Sequence, residues 1–436
     1  MKWFVFAIAV LMYALVIAFQ DKKVLWSLGA AAVAIALGTI FPGQIFSGSA
    51  RSFALSHSFA QLINWNVLMI YIGSMIIAAL FIYSKAPQRI AELLIQASPS
   101  AGIAMVLILA MTGIISIFVE NVATVLVMAP IAIAFCQKLN LRPVNFMLGL
   151  AVMSNLEGTA TLVGDPPSMI FASFAGYGFN DFFIYNSRPS IFFFIQTGLL
   201  VGCVFFYFIF RAANDKPALG KTKVISLFPS ALLLLMILGL ALMSFFNIKL
   251  AFANGGYVLA LGIIGLIWRR VSQKKSSAEI MQLVKGLDWE TIFFLIGVFV
   301  IVGALSESGL LLDFANFLGD VTGGSKALAF VLILIVSIII SGFIDNVPYI
   351  IVMLPVAASL SQEISIEPEL FMFALLIGSC LGGNLTPYGA SANVVAMGIV
   401  KKQGYPINFA TWLKLGAPFT LLTTGAAAGF LWLVWG

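Results

Sequence analysis

The chain carries two copies of one plan, and any fold it adopts must be built from both. Phe118, Glu120, Asn121, Met128 and Pro130 recur 225 positions later as Phe343, Asp345, Asn346, Met353 and Pro355. Gly158, Thr161 and Gly164 recur at the same shift as Gly383, Thr386 and Gly389, while Trp65 and Gly73 answer Trp289 and Gly297 at a shift of 224. The copies hold carboxylates, amides and glycines inside otherwise apolar sequence. Such a duplication is the pattern of a secondary transporter.

The surrounding sequence identifies the solvent. With 61% hydrophobic and 9% charged residues, the chain departs from soluble domains, where about 25% of residues are charged. Continuous apolar runs of about 17 to 25 residues predict spanning helices, because each segment must satisfy its own backbone polar groups once water is excluded. A barrel would need alternating runs. The expected class is an all-α polytopic protein of the prokaryotic inner or plasma membrane. Cys136, Cys203 and Cys380 fit no metal or disulfide spacing. The run 3–19 predicts a helix rather than a signal peptide, since no small-residue cleavage pattern precedes Asp21, Lys22 and Lys23. The net charge of +6 comes from residues flanking spans, and no basic, aromatic-interleaved patch offers itself to nucleic acid.

The first repeat, 1–212, is expected to span the membrane at 3–19, 24–41, 65–84, 144–176 and 191–211, with a re-entrant hairpin at 101–137. A cytoplasmic linker, 213–223, leads to the second repeat, 224–436. Its spans fall at 225–246, 252–268, 289–306, 369–401 and 413–435, with a hairpin at 327–361. Five crossings per half force the second copy to enter the membrane upside down, so the repeats are expected to be inverted. On this parity 18 of the 23 Lys and Arg residues share one face, Lys216 and Lys221 among them, leaving Lys2, Arg51, Arg188, Lys249 and Lys326 on the other. Basic residues favour the cytoplasm, which puts both termini outside. His57, the single histidine, is expected to be a solvated residue of an outer loop, and 307–326 an acidic outer loop.

The polar residues gather at two hairpin tips and two broken spans. Glu120 with Asn121, and Asp345 with Asn346, sit between apolar limbs. A carboxylate at mid-membrane costs at least about 2.5 to 3.5 kcal/mol on insertion scales, so it normally faces a cavity, a partner or an ion. The functional reading is a site for a coupling ion or proton; the structural one is an N-cap for each second limb. The two coexist readily. In the span 144–176, Gly158, Gly164, Pro166 and Pro167 interrupt the helix beside Asn155, Glu157, Thr159 and Thr161. The span 369–401 does likewise at Gly382 and Gly383, beside Asn384, Thr386, Ser391 and Asn393. Unwound backbone and oxygen-bearing side chains suit a hard cation such as Na+, and the resuming half-helices suit an anion or oxyacid. Asp165, directly before Pro166, is placed to cap the second half-helix. No Walker-type loop is present, which leaves an associated ATPase subunit open. No cofactor loop, zinc-ligand spacing or membrane-embedded nucleophile paired with a histidine suggests an enzyme.

These motifs resemble the ion transporter superfamily, in the branch of arsenite-permease-like proteins, the melanosomal P protein and NhaD-type sodium/proton antiporters, with a citrate-transporter-like domain. The likeness spans nearly the whole chain and is strongest over 120–130, 154–168, 345–355 and 382–393. It implies a homodimer with a scaffold and an elevator-like transport region. It also implies cation or substrate roles for Asn155, Thr159, Thr161, Asn384, Thr386 and Asn393. From the residues themselves, the amide oxygens of Asn121, Asn155, Asn346 and Asn384 are the candidate Na+ ligands. Glu120 in place of aspartate, Glu157 and Ser168 in place of a small residue and asparagine, and Pro387 with Tyr388 in place of an aliphatic pair depart from the branch pattern.

The expected activity is secondary transport, driven by protons or Na+, that exports a small inorganic solute such as arsenite or antimonite. Sodium/proton antiport is the nearest alternative and anion or dicarboxylate transport the next. Several membrane carboxylates make a dianion less attractive than a neutral oxyacid or a cation. A channel or an intramembrane enzyme fits poorly.

Overall fold

The computed structural model describes residues 1–46, 53–215, 222–248 and 252–436. Arg51, Lys216, Lys221 and Lys249, and part of the linker, lie outside the described residues. The first half contains α1 (Lys2–Ala18), α2 (Lys23–Ile40), α3 (Phe53–His57), α4 (Trp65–Tyr83), α5 (Ala86–Ala97), α6 (Ala101–Ser116), α7 (Asn121–Lys138), α8 (Val144–Gly158), α9 (Pro166–Ala175) and α10 (Ile191–Phe210). The second contains α11 (Phe228–Phe245), α12 (Ala253–Val271), α13 (Ser277–Lys285), α14 (Trp289–Glu307), α15 (Leu310–Thr322), α16 (Lys326–Phe343), α17 (Asn346–Glu363), α18 (Glu369–Gly382), α19 (Ser391–Lys402) and α20 (Phe409–Trp435). Each helix of the first half has a counterpart ten places on. Eight of the described helices are long and apolar enough to cross a membrane.

The spans break where the sequence demands it. At 15 and 10 residues, α8 and α9 are each too short for a hydrocarbon core of about 30 Å, but end to end they suffice. The same holds for α18 and α19. Local signals are duplicated too: Ser100 and Ser325 cap α6 and α16, accepting from the backbone N–H groups of Ile103 and Leu328 at 3.4 Å each.

Packing exchanges partners between the halves. α4 lies along α12, and its counterpart α14 lies along α2. Gly73 and Gly297 explain their own recurrence here: a Cβ on Gly73 would come 2.6 Å from the backbone of Val258 and Leu259, and one on Gly297 2.5 Å from that of Ser27. Only glycine permits so close an approach. The counterparts α10 and α20 pack on each other antiparallel, with Phe194 against Phe430 at 5.4 Å between ring centroids and Phe206 against Phe419 at 5.5 Å. Antiparallel contact between equivalent spans is consistent with an inverted pair. The result is two groups of helices. One is built on α1, α2, α4, α11, α12 and α14, the other on the hairpins, the broken spans, α10 and α20.

Some expectations change. The fold is nearly all helical, but a two-residue antiparallel ladder joins β1 (Ile184–Tyr185) to β2 (Arg188–Pro189), through a turn with positive φ at Asn186 and Ser187. The segment 307–326 is helical over α15 rather than a loop, and α5 is its counterpart; both present an apolar stripe between charged residues that hydropathy averaging hides. His57 is not solvated. At 8% exposure it stacks on Phe53, with ring centroids 4.6 Å apart, and its Nε2 pairs with Glu307 on α14. A partner 250 residues away leaves no mark in the local sequence.

Candidate functional site

Each hairpin turns on a carboxylate that starts its second limb. Glu120 Oε2 accepts from the Ala123 backbone N–H at 2.9 Å, and Asp345 Oδ1 from that of Val347 at 3.1 Å. Both are N-caps, as their neighbours' free N–H groups require. Asn121 Oδ1 accepts from Ser116 Oγ at 2.6 Å, which braces the first tip. Pro130 and Pro355 lie inside α7 and α17 at equivalent depths, where each removes one helical hydrogen bond.

The breaks are tied to the tips by one bond used twice. Thr161 Oγ1 donates to the Ile117 carbonyl at 2.5 Å, and Thr386 Oγ1 donates to the Gly342 carbonyl, at the same separation in sequence. Each threonine also accepts from the amide two residues on, Val163 or Tyr388. Gly164 packs against the Gly158 carbonyl as Gly389 does against that of Gly383, at distances where a Cβ would collide. Asp165 caps α9 by accepting from Ser168 N–H at 2.9 Å. α19 has no side-chain cap, because Ala390 stands at that position.

Behind the tips an amide cluster joins the two broken spans. Asn155 Nδ2 donates to Asn384 Oδ1 at 2.8 Å and to Asn393 Oδ1 at 2.9 Å. Asn384 in turn donates to the Val152 carbonyl, and Asn393 to those of Gly383 and Thr386. All three are 3% exposed or less. Amides suit such a position because each is donor and acceptor at once.

In front lies a small cavity of about 60 Å³, room for a few waters or a single ion. It gathers Glu120, Asn121, Asn155, Asp165, Asp345, Asn346 and Ser391, which the sequence had put at two tips and two breaks. Asn384 and Asn393 stand one layer behind, and Thr159, Thr161 and Thr386 serve backbone carbonyls: Thr159 Oγ1 donates to that of Asn155 at 3.4 Å. Glu157 is elsewhere. Fully buried, it points toward α10, where Gln196 Nε2 donates to its Oε2 at 2.7 Å. Three polar lining residues escape the sequence reading: Tyr71 on α4, Asp288 at the N-cap of α14, and Thr291 in its first turn. Asp288 directly precedes Trp289, so the duplicated tryptophan could have drawn attention to it.

The lining carries four carboxylates, Glu120, Asp165, Asp288 and Asp345, and no Lys, Arg or His among the described residues. Among the described residues no three acidic, His or Cys side chains converge as a multivalent metal site would require. A second cavity, of about 280 Å³, shares Asp345, Ala390 and Ser391 with the first and extends to Asp21, Lys23 and Glu290. A third, near 600 Å³ and formed by α4, α9, α11 and α12, reaches Ser173 and Asn66 but no tip residue.

A family model described as a citrate transporter, CitMHS, matches residues 13–378 and 263–435. The chain belongs to this family. Its relatives include an uncharacterized transporter of Mycobacterium tuberculosis, 31% identical over 432 residues and covering 97% of this chain and 96% of the relative. The mouse P protein is 29% identical over 452 residues, covering 83% of this chain and 53% of that protein. In fold the chain is similar to the Alcanivorax borkumensis YdaH transporter, with a TM-score of 0.63 at 16% identity, over 94% of this chain and 97% of that one. The Neisseria gonorrhoeae efflux pump MtrF gives 0.55 at 14% identity, over 94% of each chain. The family member described here is an integral membrane transporter.

Proposed function

We propose that the chain is a secondary active transporter in which protons or Na+ bind at Glu120 and Asp345 and drive export of a small inorganic solute such as arsenite or antimonite by alternating access. The observation that carries this reading is a cavity of four carboxylates with no cationic side chain among the described residues, where two hairpin tips meet two broken spans. Unneutralised, such a site resists passage through an apolar barrier; an ion or proton bound there lowers that cost. A free polyanion such as citrate would be repelled unless cations entered with it. Sodium/proton antiport is the second reading, favoured by the same acidic lining and by room for little more than one ion.

The cycle would move the hairpins and broken spans past the α2, α4, α12 and α14 layer, elevator-like, within a homodimer. With basic residues assigned to the cytoplasm and both termini outside, the cavity reaching Lys23 opens inward. In everted vesicles, Asp345→Asn should abolish cation-coupled transport while the protein remains inserted. Normal coupling by that variant overturns the reading. A pH-dye response to Na+ but not to arsenite would select antiport.

A further inference from the structure

We infer that Asp288, positioned by Tyr71, supplies a fixed carboxylate from the opposite helix layer to a site for a monovalent cation, so that the ion is enclosed by both layers at once. The inference rests on the proposed coupling site and adds a partner to it.

The duplication provides the control. Asp288 caps α14 by accepting from Thr291 N–H at 3.0 Å, and its counterpart Asn64 caps α4 by accepting from Val67 N–H at 3.1 Å. Asparagine and aspartate cap equally well, so capping does not explain why one copy carries charge. The difference lies in what each side chain faces. Asn64 turns its amide to Ser173 at 2.5 Å, away from the central cavity, whereas Asp288 lines that cavity. Its second oxygen accepts from the Tyr71 hydroxyl at 3.2 Å. Tyr71 is itself 2% exposed and is another break in the symmetry, since its counterpart is Leu295. These two polar departures from the repeat thus meet each other, one from each half, at the cavity wall.

A second observation points to a ligand. Asp165 lines the same cavity, is 2% exposed, and its Oδ2 meets no N–H or O–H donor, the weakly donating Cys380 thiol being the carboxylate's partner besides Ser168. An unmet buried carboxylate oxygen is costly unless something cationic or protonated fills its place. The available donors to such an occupant are carboxylate, amide and hydroxyl oxygens, the ligand set of a hard cation. The small volume, and the lack of a convergent acidic triad among the described residues, favour one charge over two.

The test is Na+ binding by the purified full chain, read as thermal stabilisation against Na+ concentration at fixed pH. Asp288→Asn keeps the cap, as Asn64 does, so its melting temperature without Na+ should match wild type. Its half-saturating Na+ concentration should rise about tenfold or more, the effect of removing one nearby charge from a partly buried site. Tyr71→Phe should give a smaller rise. Unchanged Na+ affinity in Asp288→Asn overturns the inference, as does a wild-type protein that Na+ does not stabilise. If Asp288→Asn is itself unstable, Asp288→Ser, another capping residue, replaces it with the same expectations. Failure of the underlying transport reading is recognised separately, by Asp345→Asn vesicles that still couple.

Discussion

Glu157 separates what a residue is from where it points. In the sequence it adds a carboxylate to the first broken span, beside residues that do line the cavity. In the structure it occupies the opposite side of α8, against Gln196 and the Cα of Gly113, with Oε1 unpartnered. Three residues of a helix turn decide the matter, because side chains two apart in sequence lie on nearly opposite faces. Glu157→Gln retains an oxygen for Gln196 and removes a buried charge that has no cation beside it. We expect thermal stability equal to or above wild type and an unaltered half-saturating Na+ concentration, measured as for Asp288→Asn. A loss of Na+ affinity comparable to that expected of Asp288→Asn would put Glu157 back in the site.

At the level of elements, the recurring glycines hold the layer against which the site is built. Gly73 and Gly297 let α4 and α14 approach α12 and α2 at backbone distance; α4 carries Tyr71, and Asp288 caps α14. Gly73→Val and Gly297→Val should each destabilise the folded protein by about 1 to 3 kcal/mol, the usual range for overpacking. The two losses should be similar because the contacts are equivalent, and a melting series in detergent would compare them. A valine tolerated at either position without loss would mean that α4 or α14 is not held at that distance. The threonine bonds from breaks to tips are the corresponding device on the other layer, since Thr161 and Thr386 keep the carbonyls of Ile117 and Gly342 satisfied where water is excluded.

At the scale of the whole molecule, the proposed alternating access depends on the two halves being inverted. Two cavities formed by equivalent helices differ in depth: that of α1, α2, α14 and α19 reaches Asp345, and that of α4, α9, α11 and α12 stops at Ser173. In an inverted pair these open on opposite faces. Single cysteines at Asp215 and Gln403, in a background lacking Cys136, Cys203 and Cys380, should both react from the cytoplasmic side with a membrane-impermeant thiol reagent. Labelling from opposite sides would remove the inversion.

Much of this was legible along the chain because the membrane enforces it. Apolar run length pointed to long helices, since each segment must close its own hydrogen bonds in lipid, and the repeated Glu120 and Asp345, Thr161 and Thr386 marked the tips and breaks that converge. The short amphipathic helices α5 and α15 were hidden because their apolar stripe is diluted in any linear average. The pairing of His57 with Glu307, the exclusion of Glu157 from the cavity and the entry of Tyr71 and Asp288 into it depend on which faces of distant helices meet. Sequence periodicity states what a helix needs to bury. Only packing in three dimensions decides against which partner it is buried, and so which carboxylates come to share one cavity.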